Sequence, residues 1–146
     1  MEELLLRYTR LSDRSLTQLA SGISDNQSLR RLDVSENKLD GDHFGDLVAA
    51  LSSPTCRVEG ITLCGINLID EQMPVFTRLS QNRNLKYLEF SSNAISDRSA
   101  GYIVELIRTS SSLQEIRLEI ENFSAESKER LRDFGNSRPG LKIIIW

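Results

Sequence analysis

The chain holds little of what a metal centre or a disulfide framework needs. Among its 146 residues are two cysteines, Cys56 and Cys64, and one histidine, His43. Structural zinc takes four ligands, mostly Cys and His at close spacing, and these three side chains do not supply them. Two cysteines cannot staple a small secreted fold either. They read as unpaired thiols in a reducing, cytoplasmic setting. His43 stands one residue before Phe44, which should face inward, so the imidazole should face water. No Ser or Cys nucleophile is placed to work with it.

Other absences narrow the function. No apolar run approaches the ~20 residues of a membrane-spanning helix. The opening stretch, MEELLLRYTR, carries acid where a secretory signal carries base. Lys and Arg number 18 against 21 Asp and Glu, a formal net charge of −3. That balance argues against a partner held by its phosphates. Gly41 and Gly45 lack the Lys-Ser/Thr context of a phosphate-binding loop. No cofactor, metal, nucleic acid or membrane is expected as a partner, and no enzymatic activity.

What the chain does have is a recurring stretch. Residues 29–39 read LRRLDVSENKL, with Leu29, Leu32, Val34 and Leu39 apolar and Asn37 between the last two. The alternation Leu32, Val34 suits a strand with one buried face. Where the backbone leaves that strand, an Asn side chain can satisfy peptide groups that have no ladder partner. The pattern returns clearly in LKYLEFSSNAI, from Leu85 to Ile95. Weaker copies begin at residues 1, 58 and 113, and a partial copy, Leu141, Ile144 and Trp146, closes the chain. Successive starts are 27 to 29 residues apart. A fixed period of this length marks a solenoid of stacked repeats.

The second half of each repeat is helical. Leu16, Leu19 and Ile23 recur at i, i+3 and i+7, as do Phe44, Leu47 and Leu51, and Ala100, Ile103 and Ile107; Met73, Phe76 and Leu79 follow at i, i+3 and i+6. Leu131 and Phe134 mark the fifth copy. This spacing is one face of an amphipathic helix. Ser12-Asp13, Ser96-Asp97 and Ser124 are expected to cap these helices, and Gly135 to end the last one. Two departures stand out. Ile66 occupies the Asn position of the third repeat, with Asn67 one residue late, so that turn must be closed differently or shift register. Pro74 is tolerated only in a first turn, so the third helix should begin near Met73, be short, and be locally irregular.

The period near 28 and the full helix in each unit resemble the ribonuclease-inhibitor-like class of leucine-rich repeats. LRRLDVSENKL and LKYLEFSSNAI carry the resemblance. Similar repeats occur in NOD-like receptors, in the GTPase activator of Ran, and in tropomodulin and CARMIL. The resemblance implies one α/β domain over 1–146, a right-handed solenoid with six parallel strands on a concave face and helices on the convex one. It implies a non-catalytic protein-binding module, such as the sensor or autoinhibitory arm of a larger innate-immune-type receptor. The alternative is a regulator of a small GTPase or of actin assembly.

Alternation with the buried leucines names the outward positions. They include Glu3, Leu5 and Arg7; Arg31, Asp33 and Ser35; Gly60, Thr62 and Cys64; Tyr87, Glu89 and Ser91; Glu115, Arg117 and Glu119; and Ile143 and Ile145. Of these, Arg31, Asp33, Tyr87, Glu89, Glu115, Arg117 and Glu119 are the candidate partner-binding residues. Tyr87 is the only aromatic, and acidic side chains outnumber basic ones, so a partly basic protein is the expected partner. Met1, Leu4 and Leu6 are expected to lie uncovered at the open end of the solenoid, where self-association could occur.

Overall fold

Short apolar alternations separated by helical stretches leave each strand only one way to pair, which is with the strand one repeat away. The computed structural model, which describes residues 1–146, shows that arrangement. Its strands are β1 (Glu3–Leu5), β2 (Arg31–Asp33), β3 (Gly60–Thr62), β4 (Tyr87–Glu89), β5 (Glu115–Leu118) and β6 (Lys142–Ile145). All pair in parallel, in sequence order. Leu4, Leu32, Ile61, Leu88, Ile116 and Ile143 stand in one register row that faces the core. The helices on the opposite layer are α1 (Ser15–Asp25), α2 (Phe44–Ser52), α3 (Met73–Phe76), α4 (Ala100–Thr109) and α5 (Ala125–Asn136).

The third repeat is irregular, as Pro74 requires. A 3-10 turn (Asp70–Gln72) runs into the four-residue α3, with Pro74 in its first turn, and a second 3-10 stretch (Thr77–Gln81) follows. Aromatic packing bridges this weak point. The Phe44 and Phe76 rings stack 6.2 Å apart, and Phe76 meets Phe90 edge to face at 5.4 Å. Each such pair adds roughly 0.5–1.5 kcal/mol beyond its buried area.

Three seams of side chains tie neighbouring repeats together. In the first, Asn37 Nδ2 donates to the carbonyls of Leu6 (2.8 Å), Val34 (2.8 Å) and Ser35 (3.1 Å), while its Oδ1 accepts from Leu11 N–H (2.9 Å). Asn93 does the same for its own turn and the third one. Its Nδ2 donates to Leu63, Phe90 and Ser91 carbonyls, and its Oδ1 accepts from Ile66 and Leu68 N–H groups. The turn without an Asn is therefore closed from the next repeat. Ile66 is fully buried, Asn67 is exposed, and β3 keeps its register.

The second seam corrects the capping expectation. Asp13 does not cap its own helix. Its carboxylate accepts the His43 N–H, at 3.2 and 3.4 Å from its two oxygens. Asp70 accepts Ser96 N–H at 2.9 Å, and Asp97 accepts Ser124 N–H at 2.8 Å. Each acid thus serves the repeat that follows. Gly41 stands in the same row, where a Cβ would lie 2.3 Å from the Asp13 carboxyl carbon. Of the expected caps, Ser124 accepts Ser127 N–H at 3.2 Å and Ser96 accepts Arg98 N–H at 3.4 Å; Ser12 meets Ser15 Oγ instead. In the third seam, Asn82 Nδ2 donates to Leu51 and Val58 carbonyls, and Arg138 donates to those of Ile107 and Leu113.

Two more expectations need correction. Ile143 and Ile145 pair with Ile116 and Leu118 and face the core, so Lys142 and Ile144 take the outward positions. The stretch IIIW is apolar at every residue, so alternation could not choose between its faces; the Lys142 N–H bond to the Gln114 carbonyl does. Gly135 does not end α5, which runs one residue further. Gly135 is buried against Ile143, whose Cδ1 would lie 2.1 Å from an added Cβ.

Candidate interaction surface

The outward face of the sheet is built from two register rows. The first runs Glu3, Arg31, Gly60, Tyr87, Glu115, Lys142, and the second Leu5, Asp33, Thr62, Glu89, Arg117, Ile144. Adjacent strands lie ~4.8 Å apart, so neighbours along a row touch. The third expected row is not a surface throughout. Ser35 and Ser91 are buried, where their hydroxyls accept the Cys64 and Glu119 N–H groups one repeat on, at 3.0 and 3.1 Å.

Tyr87, Glu89, Glu115 and Arg117 form one cluster. The Tyr87 hydroxyl donates to Glu89 on its own strand. The Arg117 guanidinium carbon lies over the Tyr87 ring, 5.6 Å from its centre. Arg117 Nε also donates to Glu115 at 2.6 Å. Burial, and then the Glu89 carboxylate that accepts its proton, push the Tyr87 hydroxyl well above the usual phenol range. Tyr87 is thus neutral, half-buried and held from two sides. Such fixed aromatic and Arg side chains match the composition of binding hot spots.

The remaining candidates lie on either side. Arg31 pairs with Glu3 at 3.1 Å. Asp33 Oδ1 accepts the Ser35 N–H at 2.9 Å, and Glu119 accepts the Ser92 hydroxyl at 2.8 Å. Gly60 and Thr62 separate Arg31 and Asp33 from the Tyr87 cluster. Asp33, Glu89 and Glu119 are half-buried and form no salt bridge, the Glu89 charge acting on Arg117 only at longer range. Cys64 feels this excess charge. Its thiol is pushed up to about 11, first by burial and then by the Glu89 carboxylate. Cys56 and Cys64 are unpaired. His43 is half exposed, with Nδ1 3.2 Å from both Thr17 Oγ1 and Asp46 Oδ2. No helix is long and apolar enough to cross a membrane.

Sequence reasoning missed Lys142, Ile144 and Tyr8, and it named Gly60 and Arg7 only as outward positions, without their surroundings. Lys142 and Ile144 were hidden by the all-apolar last strand. Gly60 reads as an unremarkable strand residue until its neighbours are seen to leave a gap above it. Arg7 and Tyr8 form an exposed cation–π pair at 5.7 Å on the adjoining loop, with Arg7 also 3.5 Å from Glu36.

Comparison with known proteins fits this geometry. The family model described as Leucine Rich repeat matches residues 25–42 and 81–104, which contain the two clearest copies. The human NACHT, LRR and PYD domains-containing protein 13 is 29% identical over 99% of this chain, and human protein 12 of that name is 32% identical over 90%. Pig ribonuclease inhibitor is 24% identical over 99%. The chain spans 14%, 12% and 32% of these relatives. Among solved structures, leiomodin-1 actin-binding site 2 superposes with a TM-score of 0.78 at 13% identity, covering 92% of this chain and 78% of that one.

Proposed function

We propose that this leucine-rich-repeat protein of the ribonuclease-inhibitor-like class is a non-catalytic interaction module that docks a partly basic protein on its concave sheet. One observation carries the reading. Glu89 and Glu119 form no ion pair and stand beside a Tyr87–Arg117 pair already held in place, with Asp33, also unpaired, two strands away. Basic side chains of a partner would neutralise those carboxylates, and Tyr87 and Arg117 would meet it with little ordering cost.

Similarity to the NACHT, LRR and PYD proteins supports a finer reading, the sensor or autoinhibitory arm of a larger receptor. A cytoplasmic setting suits the two unpaired thiols. A second reading is a regulator of actin assembly or of a small GTPase, since leiomodin-1 actin-binding site 2 is built on the same fold. Co-sedimentation with filamentous actin separates the actin version from the first reading.

The docking surface is tested by selecting binders from a displayed library of random peptides. Selected peptides should be rich in Lys and Arg. Glu89→Lys combined with Glu119→Lys should weaken them about tenfold or more and leave the fold intact, because neither half-buried carboxylate belongs to the core or to an ion pair. Glu105→Lys with Glu126→Lys, on the helical layer, should leave affinity unchanged. The opposite pattern would move the site to the helices.

A further inference from the structure

Gly60 is the one residue of the first outward row that has no side chain, and its backbone lies buried at the floor of a cleft between the neighbours that flank it. A Cβ built on Gly60 would lie 3.6 Å from Arg31 Cγ on one side and 3.7 Å from Tyr87 Cδ1 on the other. Those two walls are therefore at most about 7 Å apart at their base. Carbon layers in van der Waals contact are separated by about 3.5–4 Å, so the base of the gap is no wider than one flat layer between two others needs. The space above is about 410 Å³, lined by Tyr87, Gly60, Arg30, Arg31, Lys86 and three glutamates, with more carbon than polar surface.

The walls are fixed before anything enters. On the β5 side, Arg117 lies over the Tyr87 ring, leaving the other side of the ring toward Gly60. The Tyr87 hydroxyl is held by Glu89. The Arg31 guanidinium is drawn to Glu3 at 3.1 Å, so the apolar stem of Arg31 forms the other wall. The rim charges cancel: Arg30, Arg31 and Lys86 stand against Glu2, Glu3 and Glu59. Glu59 bonds Lys86 at 3.0 Å and approaches Arg30 at 4.0 Å. A charged occupant would have to break these pairs, whereas a neutral one would not.

The geometry points to a notch for one aromatic side chain of the partner protein, slotted between the Arg31 stem and the Tyr87 ring above Gly60. A flat, neutral ring matches the width and the cancelled charge, and it stacks on Tyr87 in the offset or edge arrangements aromatic pairs prefer. This rests on the concave face being the docking surface, and it names the anchor that enters there.

The probe is N-acetyltryptophanamide, titrated into the ¹⁵N-labelled chain with N-acetylleucinamide as control. The tryptophan amide should shift the backbone amides of Arg31, Gly60 and Tyr87 and saturate in about the millimolar range expected of so small a ligand. The leucine amide should shift them far less. Gly60→Val should cut the response about fivefold or more. Gly60→Ala adds only a carbon in ordinary contact, so it must fold, and it should give an intermediate loss. Equal response to both amides, undiminished response in Gly60→Ala and Gly60→Val, or no response at all would overturn the notch. Shifts confined to Arg117 and Glu119 would overturn the notch and leave the concave docking face standing. Shifts confined to the helices would overturn both.

Discussion

Asn93 closes a turn that is not its own: its Oδ1 accepts the N–H of Ile66, one repeat earlier, at 3.0 Å. The same oxygen takes Leu68 N–H, and the amide nitrogen takes the Leu63 carbonyl. Asn93→Ala thus strips two turns at once. Each orphaned buried group costs roughly 1–3 kcal/mol, so urea unfolding should show a loss of about 3 kcal/mol or more. Asn67 is different. It is exposed at φ +61°, a conformation glycine adopts freely. Asn67→Gly should change stability by no more than about 0.5 kcal/mol. If Asn67→Gly proved the costlier change, the third turn would be closed by its own Asn after all.

Gly135 should resist substitution in spite of its helical position. Alanine is favoured over glycine in a helix by roughly 1 kcal/mol. Here the added carbon would meet Ile143 Cδ1 and Cγ1 at 2.1 and 2.6 Å. Gly135→Ala should therefore destabilise, by about 1–3 kcal/mol as for other overpacked sites. Adding Ile143→Val removes the nearest carbon and should recover part of the loss. A calorimetric Tm higher for Gly135→Ala than for the parent would contradict the packing described.

Asp70 should make stability sensitive to acid. Burial raises its carboxyl, but hydrogen bonds from Ser96 and Ser99 outweigh burial and leave it below its ordinary value of 3.8. A carboxylate whose pKa is depressed by folding contributes stability above the unfolded value. That contribution fades as pH falls through the lower folded value. Unfolding titrations below about pH 4 should show this decline, and Asp70→Asn should flatten it. An identical acid limb in the variant would mean that Asp70 is not held by the Ser96 and Ser99 contacts.

The leucine pattern discloses β2 to β5 because each carries aliphatic residues on one face only, and β1, with Leu5 outward, through its spacing from β2. It discloses the short third helix because Pro74 has one tolerable place in a helix. It fails at β6, where both faces are apolar, and there the register rests on backbone pairing with β5. The Asp13, Asp70 and Asp97 seam is periodic too, but a search for apolar periodicity passes over it. Ser35 and Ser91 alternate as surface residues should and are buried nonetheless, each spent on an N–H one repeat away. Tyr87, Glu89, Glu115 and Arg117 are legible as neighbours from strand spacing. Their bonding to one another is not, since it depends on rotamers that tertiary contacts select.

The in-register parallel sheet also imposes a measure on whatever crosses it. Its rows repeat every ~4.8 Å, whereas an extended or polyproline chain advances about 3.1–3.4 Å per residue. Two sheet intervals, about 9.6 Å, come close to three residues of such a chain. A polyproline segment, with about three residues per turn, lying across the strands would then meet alternate strands with every third side chain. Tyr87 and Lys142 share a row two strands apart, as do Glu3 and Gly60. Sequence preferences in such a segment would be spaced in threes, unlike the twos of a peptide added to a sheet edge.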